Sequence, residues 1–269
     1  MPEQDENQGF LARWKALPVD SVPKTIFVAA ALCLFCSMVV AFAAVNLRPL
    51  QEANKLNDKR INILQVAGLY DAGEDIEEAF AAFEPRVVDL RSGTFTDEFD
   101  ATQFDDRAAA SDPELSRALD EDPAGIGRQT NFATVYLLND EAGNLDKIIL
   151  PIHGYGLWST LYGFIALEDD GNQIYGLQFY DHAETPGLGA EVDNPAWKAQ
   201  WRAKELRDDS GALKITVSKG LPSPDMENHQ VDALAGATLT SVGVDNLVRF
   251  WMGENGFAPF LENLKAGDV

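Results

Sequence analysis

The 269-residue chain carries 43 acidic against 21 basic side chains, a formal net charge of −22, with 46% hydrophobic and 10% aromatic residues. That length suits one large domain or two modest ones with a real core, and the apolar content excludes a chain that is disordered throughout. A surface this acidic repels phosphate backbones, which excludes a DNA or RNA binder.

The first predicted element is a membrane span. Residues Thr25 to Val45 run for 21 positions without a charge, and a helix of that length reaches about 31 Å, the thickness of a bilayer's hydrocarbon. Lys24 and Arg48 flank it and can place their charges in the headgroup layers. A cleaved signal peptide is the competing reading, because Ala41-Phe42-Ala43 has a small-x-small pattern. The polar lead and the long apolar run favour an uncleaved anchor. Arg13, Lys15 and Lys24 before the span are balanced by Arg48, Lys55, Lys59 and Arg60 after it, so the flanking charges leave its orientation undecided. Beyond residue 24 the balance is 18 basic to 39 acidic, a net of −21, which marks a soluble acidic domain. Cys33 and Cys36, spaced i, i+3, share a helical face inside the span and read as small apolar packing residues rather than a redox or metal pair.

After the anchor, Leu50 to Leu69 reads as a helix leaving the membrane, with apolar positions at Leu56, Ile61, Leu64 and Val66. A second, acidic helix is expected from Asp75 to Phe83, ended by Pro85. Asp97 to Asp122 reads as a solvated helix-and-loop insert. The period then changes. Phe132–Leu138 and Lys147–Ile152 flank a turn-forming segment and predict a hairpin; Tyr162–Leu167 and Ile174–Tyr180 repeat the pattern around Asp169-Asp170-Gly171-Asn172. Leu213–Val217 is a fifth strand candidate, and a helix follows Gly236, with Val244, Leu247, Val248 and Trp251 on one face. The expected fold is α+β: a single N-terminal transmembrane helix followed by an antiparallel sheet packed with helices. The division is a tail 1–24, an anchor 25–46, a membrane-proximal helical region 47–130 and a sheet domain 131–269.

Four loops combine glycine, aromatics and hydroxyls. In His153-Gly154-Tyr155-Gly156-Leu157-Trp158-Ser159-Thr160, Tyr155 and Trp158 could offer flat faces to an aromatic ligand; taken alone, the loop reads rather as a tight sheet corner with a core tryptophan. Glu184-Thr185-Pro186-Gly187-Leu188-Gly189 is a Pro-Gly turn that exposes main-chain N–H groups. Val217-Ser218-Lys219-Gly220 puts a cation at a strand end, where it could meet an anion or simply face solvent. The fourth loop, Asp232 to Ser241, brings Thr238, Leu239, Thr240 and Ser241 to a helix start, a place for caps and equally for a phosphate. The three histidines, His153, His182 and His229, are scattered without the spacing of a metal site.

Asp232-x-x-x-Gly236-Ala237-Thr238 resembles the flavinylation motif of FMN-binding domains, whose final threonine carries FMN through a phosphoester made from FAD by a flavin transferase. Ala235 stands where that family usually has Ser or Thr, which touches a local hydrogen bond more than the attachment. With Gly156-Leu157-Trp158-Ser159-Thr160-Leu161-Tyr162-Gly163, Glu184-Thr185-Pro186-Gly187-Leu188-Gly189-Ala190-Glu191-Val192 and Asn194-Pro195-x-Trp197 in order behind one span, nearly the whole chain is similar to the C subunits of sodium-translocating NADH:quinone reductases. The resemblance implies covalent FMN on Thr238, with Gly236, Ala237, Leu239, Thr240, Asp232, Trp158, Ser159, Thr160, Glu184, Thr185, Gly187, Leu188 and Lys219 around it. It further implies an electron carrier on the periplasmic side of a bacterial inner membrane, in contact with lipid. NADH oxidation and quinone reduction would belong to the other subunits of the complex, and a flavin transferase would mature this one. The G subunit of the related Rnf-type complex is the second resemblance. A cofactor-free, membrane-anchored binding or scaffold domain is the alternative of a different class.

Overall fold

In the computed structural model, the described residues are Pro18 and 21–269, so most of the expected tail 1–24, with Arg13 and Lys15, lies outside them. Helix α1 is continuous over Val22–Ala67, with Pro49 inside it. The expected span and the expected helix after it are therefore one element. Among the described residues it is the one helix long and apolar enough to cross a membrane. The chain divides into a compact unit ending at Leu56 and a second covering Asn57–Val269.

The end of α1 has a chemical cause. Gly68 takes φ +76°, the Leu69 amide donates back to Leu64 O at 2.8 Å and the Gly68 amide to Gln65 O at 3.1 Å. This is the paired closure by which a left-handed glycine satisfies the last helical carbonyls. Asp75 caps the short α2 (Ile76–Phe80) by accepting from the Glu77 and Glu78 amides. The expected helix thus stops earlier than Pro85.

Strand β1 (Phe83–Asp89) begins three residues after α2 and β2 (Thr94–Thr96) follows it. Pro85 sits inside β1, opposite Tyr136, at a position β2 does not reach, where the strand has an open edge and a missing N–H is tolerated. Next come α3 (Asp106–Ser111) and the small pair β3 (Ser116–Ala118) and β4 (Arg128–Thr130). The stretch 47–130, expected as a membrane-proximal helical region, also holds four of the strands, and two of them join the main sheet.

The two expected hairpins are present as β5 (Phe132–Asn139), β6 (Leu145–Tyr155), β7 (Thr160–Glu168) and β8 (Ile174–Asp181). The six-stranded sheet has the order β2-β1-β5-β6-β7-β8, antiparallel throughout. Its two faces bury alternate residues. Val135, Leu137, Ile148, Leu150, Ile152 and Ile165 enter the large core with Trp201, Val244, Leu247 and Phe257. Tyr136, Leu138, Ile149, Phe164 and Ala166 enter a second one with Ile63, Leu64, Val66 and Ala67 of α1. Burial on both faces explains why these strands read as apolar runs rather than alternating ones.

The remainder of the chain builds the support for one loop cluster. After α4 (Pro195–Lys198), strand β9 (Thr216–Ser218) pairs in parallel with β10 (Gln230–Asp232) as a separate two-stranded ribbon. The candidate Leu213–Val217 is thus shifted and lies outside the main sheet. Helices α5 (Thr238–Trp251) and α6 (Ala258–Ala266) complete the fold.

Candidate functional site

Helix α5 lies unusually close to the end of β6. A Cβ on Gly154 would stand 2.4 Å from Leu247 Cβ, and one on Gly243 would stand 2.4 Å from Tyr155 O. Glycine at both positions lets helix and strand approach, and Trp251 Nε1 fixes the depth by donating to His153 O at 2.6 Å. Asp245, two residues after Gly243 in α5, accepts from the Val217 amide at 2.7 Å and from the Thr216 hydroxyl at 2.8 Å, which holds β9 against the helix. Lys219 follows β9 directly, and β10 ends at Asp232. Both ribbon ends are thereby delivered to the N-terminus of α5.

The entry into α5 is a tight turn. Gly236 has φ +76° and the Ala237 amide donates to Leu234 O at 3.3 Å, a geometry that favours glycine at the third position. Ser241 staples this turn to the helix: its hydroxyl donates to Ala237 O and accepts from the Leu234 amide, both at 2.9 Å. Ser241 therefore does its work one turn inside the helix. Ala237 occupies the N-cap position and offers no side-chain acceptor, so the first-turn amides have no side-chain cap. Thr238 is the first helical residue and is exposed. Its Oγ1 accepts from Lys219 Nζ at 2.7 Å.

Thr240, two residues on, has the opposite environment. It is fully buried, and its hydroxyl donates to Glu184 Oε2 at 2.6 Å. The other oxygen of the same carboxylate accepts three successive amides, Leu157 at 3.0 Å, Trp158 at 2.9 Å and Ser159 at 3.3 Å. Glu184 is only 5% exposed. Burial by itself would push its carboxyl up, but the Thr240 hydroxyl and the three amides outweigh it and hold it below the ordinary glutamate value. The approach is so close that a Cβ on Gly156 would lie 2.7 Å from Glu184 Oε1, and one on Gly189 would lie 2.5 Å from Oε2. Glu184 is held from its own backbone too: its amide donates to His182 Nδ1 at 3.2 Å, while His182 Nε2 meets Asp193 Oδ2 at 2.9 Å.

Of the residues expected at the site, the structure brings the Trp158 loop, the Pro-Gly turn, Lys219 and the Gly236–Thr240 segment together. Ser159 Oγ accepts from the Ala183 amide at 2.7 Å and Thr160 opens β7 opposite Tyr155. Pro186 and Gly187 form the expected turn, closed by the Leu188 amide on Thr185 O at 3.1 Å. Leu188 then rests beside Gly236. Trp158 is 65% exposed, which corrects the reading of a core tryptophan at this corner. The Glu184 side chain points into the protein, where the Leu157, Trp158 and Ser159 amides and the Thr240 hydroxyl hold it. The Thr240 hydroxyl is buried and committed to Glu184, and the Asp232 side chain is exposed while its backbone is held by Trp197 Nε1 and Gln200. Sequence patterns gave no sign of the parts played by His182 and Asp245. Leu239 (61% exposed), Leu188 (45%) and Tyr155 (49%) join Trp158 in presenting apolar surface among these loops.

An exposed hydroxyl, an ammonium and an uncapped helix N-terminus suit a phosphate ester, and exposed aromatic and aliphatic side chains beside them suit a flat ring system. Residues 156–253 match the family model of the FMN-binding domain. The C subunit of the Na(+)-translocating NADH-quinone reductase of Pseudomonas aeruginosa is 51% identical over 258 residues, covering 93% of this chain and 98% of that protein. Its counterpart in Yersinia pestis is 48% identical, covering 92% and 95%. Among solved structures, the Shewanella oneidensis NqrC crystal structure superposes with a TM-score of 0.74 at 36% identity, covering 80% of this chain and 99% of that one. The chain belongs to the family of Na(+)-translocating NADH-quinone reductase C subunits.

Proposed function

We propose that this chain is a membrane-anchored electron-carrier subunit of a Na(+)-translocating NADH-quinone reductase, and that it holds FMN covalently through a phosphoester on Thr238. The observation that carries the reading is the setting of the Thr238 hydroxyl: exposed, first in a 14-residue helix without a side-chain cap, and 2.7 Å from the Lys219 ammonium. The helix dipole and the free first-turn amides favour a phosphate there, and Lys219 neutralises part of its charge.

Bound FMN supplies reversible uptake and release of electrons. The protein's own contributions are different. Gly236 and Ala237 leave the hydroxyl open, Trp158, Leu188 and Leu239 offer apolar contact, and the backbone of the Thr185–Leu188 turn offers polar groups. A covalent tether prevents loss of the cofactor on the open side of a membrane. The anchor at residues 25–46 keeps the flavin domain near its partners, which raises their effective concentration. We assign NADH oxidation and quinone reduction to the other subunits, the attachment reaction to a flavin transferase acting on FAD, and the domain to the periplasmic side of a bacterial inner membrane.

The test is the mass of the full chain, purified after expression with and without a flavin transferase. The reading expects a gain equal to FMN less the water lost in the ester, and only when the transferase is present. An unchanged mass overturns it.

A further inference from the structure

Glu184 is the most heavily bonded carboxylate of the site, and nothing in the proposed chemistry requires it to touch the flavin. It lies 26 residues from Trp158 and 56 from Thr240 in sequence, and accepts hydrogen bonds from both. One oxygen is saturated by three consecutive amides, an anion nest in miniature formed by the protein's own side chain. The other is held by a fully buried hydroxyl in the first turn of α5. Gly156 and Gly189 press against it, leaving no room for any side chain.

We propose that Glu184 is the positioning residue that assembles the flavin cradle before the flavin arrives. Its carboxylate joins the 156–160 loop, the Pro-Gly turn and the first turn of α5 into one unit. The exposed Trp158 indole and the Thr238 hydroxyl thus stand in fixed relation when a transferase presents its substrate. The proposal rests on the reading of Thr238 as the flavin acceptor and deepens it. It has an electrostatic corollary. A buried, desolvated negative charge fixed to the flavin-bearing turn opposes the addition of electrons to the ring, so it holds the potential of the bound flavin down.

Two substitutions separate geometry from charge. Glu184→Ala leaves three amides and a hydroxyl without their acceptor, whereas Glu184→Gln keeps one oxygen for the amides and an NH2 that Thr240 Oγ1 can accept, and loses only the charge. The full chain and both variants are incubated with FAD and a working flavin transferase, and both the rate of covalent labelling and the midpoint potential of the labelled protein are measured. Glu184→Ala is expected to label roughly tenfold or more slowly at unchanged far-UV circular dichroism. Glu184→Gln is expected to label within about twofold of the wild type but at a more positive midpoint potential. Equal labelling rates for wild type and Glu184→Ala overturn the proposal, as does an unshifted potential in Glu184→Gln. The second readout decides alone if the alanine variant does not fold. Wild-type chain that takes no label at all refutes instead the assignment of Thr238.

Discussion

The two sides of the first turn of α5 are built in opposite ways. On the inner side Thr240 and Ser241 are buried, and every hydroxyl has a named partner: Glu184 for one, Ala237 O and the Leu234 amide for the other. On the outer side Thr238, Leu239 and Val242 are exposed, and the Thr238 hydroxyl accepts from the Lys219 ammonium. The contrast shows how a fold can keep a hydroxyl open without loosening the turn that carries it. Rigidity comes from the saturated side and is passed through one helical turn to the unsaturated one.

Substitutions on each side break that contrast in different ways. The largest effect is expected outside: Thr238→Ala should abolish the fluorescent band on a denaturing gel while leaving the unfolding midpoint nearly unchanged, because an exposed hydroxyl contributes less than about 1 kcal/mol. A fluorescent Thr238→Ala band would move the attachment elsewhere. Next comes the approach of helix to strand. Gly243→Ala drives a methyl to 2.4 Å from Tyr155 O, and a backbone cannot swing aside as a side chain can. A loss of about 2 to 3 kcal/mol is expected in urea titration, despite alanine's better helix propensity. On the inner side Thr240→Ala should keep the flavin yet cost about 1 to 2 kcal/mol, the reverse of the Thr238 result.

A further test uses pH. His153 stacks on Tyr162 at 5.4 Å between centroids. Burial, with Arg107 adding to it and Asp122 opposing, pushes its pKa down to about 4 from the ordinary 6.5. The folded protein then binds fewer protons than the unfolded chain between those values. Its stability is therefore complete above pH 6.5 and declines as the pH falls toward 4. The contribution is about 3 kcal/mol at most. His153→Phe, which keeps the stacking, should flatten that part of the stability profile; an unaltered slope would show that other groups carry it.

How much of this was legible in the sequence follows from the range of each signal. The hairpins β5–β6 and β7–β8 are local, with turn residues such as Asp169-Asp170-Gly171-Asn172 between apolar runs, and each strand end was read to within three residues. Strand β1 did not, because Glu84, Pro85 and Arg86 carry no strand pattern; the pairing with β5, some fifty residues later, makes it a strand. At the site, Gly236 and the Pro-Gly turn announced their backbone geometry, and Thr238 stood out by its neighbours. The roles of Glu184 and Thr240 were hidden, since a carboxylate bonded to residues far off in sequence looks the same as one facing water. Gly156 and Gly189 carried the available hint, as positions where something approaches too closely for a side chain.

Pro49 has a consequence for how the long helix meets its surroundings. Proline has no N–H, so the carbonyl four residues earlier, that of Val45, loses its helical donor. Inside hydrocarbon an orphaned carbonyl would cost several kcal/mol. Val45 is the last residue of the apolar run, however, and polar Asn46 follows at once, with Arg48 and Glu52 beyond it paired at 2.9 Å. The gap in the hydrogen-bond ladder thus falls at the polar boundary, where headgroup water supplies the missing donor, and the proline marks the rim of the bilayer without breaking the helix that crosses it.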